Sequence, residues 1–110
     1  MKLTVLGAGC WGLTLAWLLT NNFEEITVWG REQDISDDLR INKHTSKPLE
    51  VQLDKKVEIS SDLREAISGA DIILSVIATS GTRDVCEKLK EAGIKPEQVL
   101  VNASKGIEVP

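Results

Sequence analysis

Gly7, Gly9 and Gly12 leave this chain few folds to choose from. Their spacing is G-x-G-x-x-G. Leu3, Val5 and Leu6 precede them as a short apolar run of strand formers. Leu13-Thr14-Leu15-Ala16-Trp17-Leu18-Leu19 follows, rich in helix formers. Strand, glycine turn and helix, in that order, form the context in which this spacing carries meaning. Gly7 lets the chain turn sharply out of the strand. Gly9 has no Cβ, so a pyrophosphate can approach the backbone, and Gly12 lets the helix lie close against the strand. Free N–H groups at the helix start and the positive end of its dipole favour an anion there. A tight turn that binds nothing is the bland alternative; the flanking elements favour a dinucleotide.

Further along, hydrophobic periodicity alternates between strand and helix. A helix is expected over 10–21, with Gly12, Leu15, Ala16 and Leu19 on the face toward the sheet. Leu13, Trp17 and Leu18 make it apolar nearly all round, which assigns Trp17 to the core. Residues 25–29 read as the second strand. Folds of this kind that bind NAD carry an acid at its tip, whereas a nearby arginine accommodates the extra phosphate of NADP. Here Gly30 stands at the tip and Arg31 follows. We therefore prefer a phosphate role for Arg31 over a solvated surface arginine. Glu32 fits a helix start, and a weak amphipathic helix is expected over 33–41, with Ile35 and Leu39 inward. Residues 42–48 read as a solvated polar loop, and His44 has no evident catalytic partner.

Val57-Glu58-Ile59 reads as a short edge strand. Ser60 or Ser61 is expected to cap a helix through Ile67, with Asp62 in its first turn and Gly69 as its stop. Residues 70–77 form a nearly continuous apolar run, the mark of a parallel strand buried on both faces. Thr79 or Ser80 should cap the next helix, in which Val85, Cys86 and Leu89 face inward and after which Gly93 ends the turn. Residues 99–101 are the last strand and 102–106 the loop after it.

The alternation predicts an α/β domain: a doubly wound (Rossmann) parallel sheet with strand order 3-2-1-4-5, stopping short of a sixth strand. Ligand should lie over the carboxyl ends of the strands, across residues 7–12, 30–31, 78–81 and 102–106. A length of 110 residues suits one domain, and a net charge of −4 argues against a nucleic-acid partner. No apolar run is long enough to span a membrane, and the start does not resemble a secretory signal. Cys10 and Cys86 are then expected to be reduced thiols in a cytoplasmic protein. No set of residues suggests a metal site, and no residue stands out as a general acid or base.

Three stretches together resemble the N-terminal domain of bacterial NAD(P)-dependent glycerol-3-phosphate dehydrogenase. The family's first turn, G-A-G-S-W-G, stands here as Gly7-Ala8-Gly9-Cys10-Trp11-Gly12. Its W-G-R at the end of strand two matches Trp29-Gly30-Arg31. Its N-A-T-K-G-[LI]-E after strand five matches Asn102-Ala103-Ser104-Lys105-Gly106-Ile107-Glu108. The resemblance implies that Cys10, Trp11 and Arg31 contact an NADP or NAD cofactor, with NADP preferred, and that Lys105 contacts both cofactor and substrate phosphate. Cys10 in place of serine removes a hydroxyl contact but keeps the backbone N–H. Ile77-Ala78-Thr79 replaces the family's V-P-S, and residues 42–53 lack its aromatic residue and Pro-Gly turn.

By the same resemblance the reaction interconverts dihydroxyacetone phosphate and sn-glycerol 3-phosphate, a step toward glycerophospholipids. The catalytic lysine and most substrate contacts belong to a second, helical domain that this chain lacks, so the chain alone should be inactive. That missing domain, and a second copy in a homodimer, are the expected protein partners. Two alternatives stand beside this reading. One is a related NADP-dependent dehydrogenase of ketopantoate or 6-phosphogluconate type, against which Trp11 and residues 102–108 argue. The other is a non-catalytic nucleotide-sensing module.

Overall fold

Leu3, Thr4, Val5 and Leu6 are all buried, and with Lys2 they form β1 (Lys2–Leu6) at the centre of a parallel sheet. In this computed structural model, residues 1–45, 50–76 and 82–102 are described. The side chains of Cys10, residues 82–86 and Asn102 lie outside that description. After β1 come α1 (Cys10–Leu18), a 3₁₀ turn (Thr20–Asn22), β2 (Glu25–Trp29) and a second 3₁₀ turn (Glu32–Asp34). Next are α2 (Asp37–Asn42), β3 (His44–Thr45), β4 (Val51–Gln52) and β5 (Val57–Ser60). The described chain ends with α3 (Leu63–Ile67), β6 (Ile72–Ser75), α4 (Thr82–Ala92) and β7 (Val99–Asn102).

The five-stranded sheet has the order β5-β2-β1-β6-β7, and each neighbouring pair is parallel. The short antiparallel pair β3–β4 forms its own two-stranded ribbon. Counting the parallel strands alone, the order is the expected 3-2-1-4-5, a doubly wound α/β fold. The ribbon is a correction: residues 42–48 read as loop, yet His44 and Thr45 pair with Gln52 and Val51.

Strand alternation builds a core on each face. Leu3, Val5, Ile26 and Val28 pack with Leu13, Ala16, Ile35, Leu39 and Val57 on one side. Leu6, Trp29 and Ile73 pack with Ala66, Ile67 and Leu89 on the other. Thr4 is fully buried, and its hydroxyl donates to the Ala66 carbonyl at 2.5 Å, which satisfies it and ties α3 to β1.

Several local expectations change. The first helix stops at Leu18 rather than continuing to 21. Trp17 and Leu18, expected in the core, are 53% and 57% exposed. Gly12, Leu13 and Ala16 take the sheet-facing positions, and Gln52, Leu53 and Asp54 border a concavity with Trp17 instead of covering it. The helix expected over 33–41 breaks in two. The Ser36 hydroxyl accepts from Leu39 N–H at 3.1 Å and starts α2 there. Asp62, not Ser60 or Ser61, caps α3 by accepting from Glu65 N–H, while the Ser60 hydroxyl accepts from Asp62 N–H and shapes the turn. Leu89 is buried as expected; Val85, Cys86, Thr79 and Ser80 fall outside the described side chains.

Candidate functional site

The parallel register aligns Ser60, Trp29, Leu6, Ser75 and Asn102 in one row across the sheet. Gly7, Gly30, Ser61 and Val76 are each one residue beyond it, so the glycine turn and Gly30-Arg31 meet at one edge. In open α/β sheets that carboxyl edge is where ligands bind.

Three glycines shape this edge in three ways. Gly7 has φ +126°, a conformation that side chains disfavour, and its N–H donates to the Trp29 carbonyl at 2.8 Å. Gly12 lies so close to the turn that a Cβ there would sit 2.0 Å from the Gly7 carbonyl oxygen. Gly9 is the opposite: a Cβ would meet nothing within 4 Å among the described residues. Gly9 is also the N-cap of α1, with no side chain capping the helix and no acid in its first turn. The first N–H groups of α1 therefore point past Gly9 with the helix dipole behind them, an arrangement suited to a diphosphate. Trp11 is 46% exposed at the start of α1. The Cys10 side chain, residues 77–81 and residues 103–106 with Lys105 lie outside the described residues.

At the tip of β2, Gly30 is held by packing. A Cβ there would come within 2.6 Å of the Ala8 Cβ, so no acidic residue can occupy this position without moving the glycine turn. Arg31 follows, exposed, and its guanidinium donates from Nε to Asp34 Oδ2 at 2.8 Å and from Nη2 to Oδ1 at 3.4 Å. The hydrogen bond to Asp34 raises the Arg31 pKa further above its ordinary value. Glu32 accepts from Ser61 Oγ at 2.8 Å and from Arg40 Nη2 at 2.8 Å, and the Ser61 hydrogen bond, then Arg40, holds its carboxyl below the usual range. Sequence reading missed the Asp34 and Ser61 partners. The i,i+3 spacing of Arg31 and Asp34 is the signal that could have found the first.

His44 is not alone. Its Nδ1 lies 2.6 Å from Asp38 Oδ2 and its Nε2 3.1 Å from Glu50 Oε2. The Asp38 hydrogen bond, then Glu50, raises the imidazole pKa, and Asp38 is lowered in turn. With a carboxylate on each ring nitrogen, His44 clamps α2 and the ribbon together and has no nitrogen left for substrate. Among the described residues, no group of three or more His, Cys, Asp or Glu is placed to hold a metal, and no helix is long and apolar enough to cross a membrane. A cavity of about 430 Å³ lined by Ser68, Gly69, Asp71 and Gly93 lies at the opposite, amino-terminal edge of the sheet. The glycine turn and the start of α1 lie at the carboxyl edge instead.

Known proteins bear on this geometry. The family model for the NAD-dependent glycerol-3-phosphate dehydrogenase N-terminus matches residues 2–110. The glycerol-3-phosphate dehydrogenase (NAD(P)+) of Thermoanaerobacter sp. is 35% identical over 108 residues, covering 98% of this chain and 32% of that protein. The protein of the same name from Limosilactobacillus fermentum is 40% identical over 110 residues, covering 97% of this chain and 33% of the relative. The solved glycerol-3-phosphate dehydrogenase of Plasmodium falciparum superposes with a TM-score of 0.82 at 25% identity, covering 100% of this chain and 34% of that one. The chain thus spans about a third of the length of the curated relatives it matches. A parallel sheet with a glycine turn at its carboxyl edge, and a family match over nearly every residue, lead to one conclusion: the chain belongs to the NAD-dependent glycerol-3-phosphate dehydrogenase N-terminus family.

Proposed function

We propose that this chain is the cofactor-binding domain of a cytoplasmic oxidoreductase that interconverts dihydroxyacetone phosphate and sn-glycerol 3-phosphate with NAD(P)H. The observation that carries the reading is Gly9: among the described residues nothing lies within 4 Å of a Cβ placed there, at a helix start with no side-chain cap, in a turn that Gly7 and Gly12 hold tightly. The residues fit the cofactor. Gly7, Gly9 and Gly12 shape the diphosphate seat, the Cys10 backbone and Trp11 border it, and Arg31 stands on the adenosine side, where a 2′-phosphate would meet it. On this reading NADP is preferred over NAD. The nicotinamide supplies hydride chemistry when bound, and this domain binds and orients it.

A second, helical domain would supply the catalytic lysine and most substrate contacts, and Lys105 would touch cofactor and substrate phosphate. Calorimetric titration of the 110-residue chain with NADPH and NADH tests the binding role. We expect saturable binding of both, tighter for NADPH, and no turnover of dihydroxyacetone phosphate. Binding of neither refutes the reading. In a polypeptide carrying both domains, Lys105→Ala should lower kcat as well as affinity for the phosphorylated substrate. Unchanged kcat and KM would make Lys105 a surface lysine.

A further inference from the structure

We propose that Asp34 sets nucleotide selectivity at the adenosine end of the site, by holding Arg31 in a neutral ion pair and so limiting its preference for a 2′-phosphate. This inference rests on the cofactor reading above and goes one residue beyond it.

The two arginines that follow the tip of β2, Arg31 and Arg40, are both in ion pairs. Packing of Gly30 against Ala8 bars a carboxylate from the strand tip itself. The next two acids along the chain are Glu32 and Asp34, and they have different partners. Glu32 is turned toward Ser61 and Arg40, across the edge of the sheet at β5. Asp34 is turned back on Arg31 through both carboxylate oxygens. Arg31 and Arg40 are thus each paired with a carboxylate, Asp34 and Glu32 respectively. A phosphate monoester bears about −1.5 to −2 at neutral pH. Approaching Arg31, it meets a dipole in which a carboxylate lies 2.8 Å from the guanidinium. Attraction to the arginine is then offset by repulsion from its partner. NAD, with hydroxyls at the same place, loses nothing to that carboxylate and can donate a hydrogen bond to it. Both members of the pair are exposed, so water screens the effect and keeps it modest.

Asp34→Asn tests this, because it keeps the side-chain shape and one accepting oxygen while removing the charge. The wild-type chain, Asp34→Asn, Arg31→Ala and the double variant are titrated calorimetrically with NADPH, NADH and 2′,5′-ADP at low salt and again at high salt. We expect Asp34→Asn to tighten NADPH and 2′,5′-ADP by about two- to five-fold, the range an exposed charge pair commands. NADH should change by less than that, the gain should shrink at high salt, and it should vanish in the Arg31→Ala background. Unchanged or weaker NADPH binding by Asp34→Asn, with both nucleotides still bound, overturns the role of Asp34 alone. A gain that survives Arg31→Ala also overturns it. Failure of the wild-type chain to bind either nucleotide overturns the proposal together with the cofactor reading.

Discussion

Gly12→Ala should destabilise the fold although it replaces a glycine inside a helix. In an ordinary helix interior the change would stabilise by about 0.5–1 kcal/mol, because alanine restricts the unfolded chain. Here the new Cβ would lie 2.0 Å from the Gly7 carbonyl oxygen and 2.9 Å from Val76 Cγ2. To reach an ordinary separation, α1 must retreat by roughly 1.4 Å, and a gap of even about 0.5–1 Å forfeits a quarter to a half of each contact it opens. Leu13 and Ala16, both buried on that helix, would lose packing against the sheet. Overpacking of this kind costs about 1–3 kcal/mol, and with the helix gain of about 0.5–1 kcal/mol set against it the net loss should be about 1 kcal/mol. For a domain of this size that lowers Tm by roughly 4–8 °C. Gly9→Ser is the matched control. A Cβ at Gly9 meets nothing within 4 Å among the described residues, and a serine at the N-cap can accept from an N–H in the first turn of α1. Stability should hold or rise slightly, while NADPH binding falls, because the hydroxyl takes the N–H that the diphosphate would use. Circular dichroism melts and calorimetric titration read both variants. A Gly12→Ala chain that melts within about 2 °C of wild type would refute the close-approach argument.

Other outcomes follow from the same geometry. Arg31→Ala should weaken NADPH more than NADH; equal losses in paired titrations would show that Arg31 does not read the 2′-phosphate. Trp17→Gln should cost under about 1 kcal/mol in a denaturant titration, against roughly 3–5 kcal/mol for emptying a buried tryptophan site, because half of Trp17 is already in water. The His44 pKa is raised in the fold above its unfolded value of 6.5, so its contribution is fully present below that pH and is lost as pH rises through the folded pKa. Denaturation of wild type and His44→Gln from pH 6 to 9 should therefore show wild type's advantage shrinking upward; a constant difference would mean the Asp38 and Glu50 contacts do not stabilise the charged imidazole.

The sequence by itself determined whatever is local or periodic. The 7–12 turn, α1 and the central strands follow from steric rules on glycine and from runs of strand formers, which act over a few residues. The order of the parallel strands follows too, since right-handed crossovers leave few alternatives. The family motifs were legible because they are contiguous stretches. What lay beyond the sequence was every feature that depends on a neighbour distant along the chain. Trp17 is as apolar as a core residue, but periodicity cannot tell whether a second layer covers a face, and here none of the described residues does. Ser60, Ser61 and Asp62 are all good caps; the turn leaving β5 selected Asp62. His44 looked solitary until α2 and the ribbon brought carboxylates to both ring nitrogens. Gly30 read as a missing acid, yet only the approach of Ala8 shows that an acid cannot fit there. Arg31 read as a free cation, and the 3₁₀ turn after it delivered Asp34. Composition and spacing state what a residue can do, but partners and coverage are fixed by which surfaces meet, and those are set by the packing of the whole sheet with its helices.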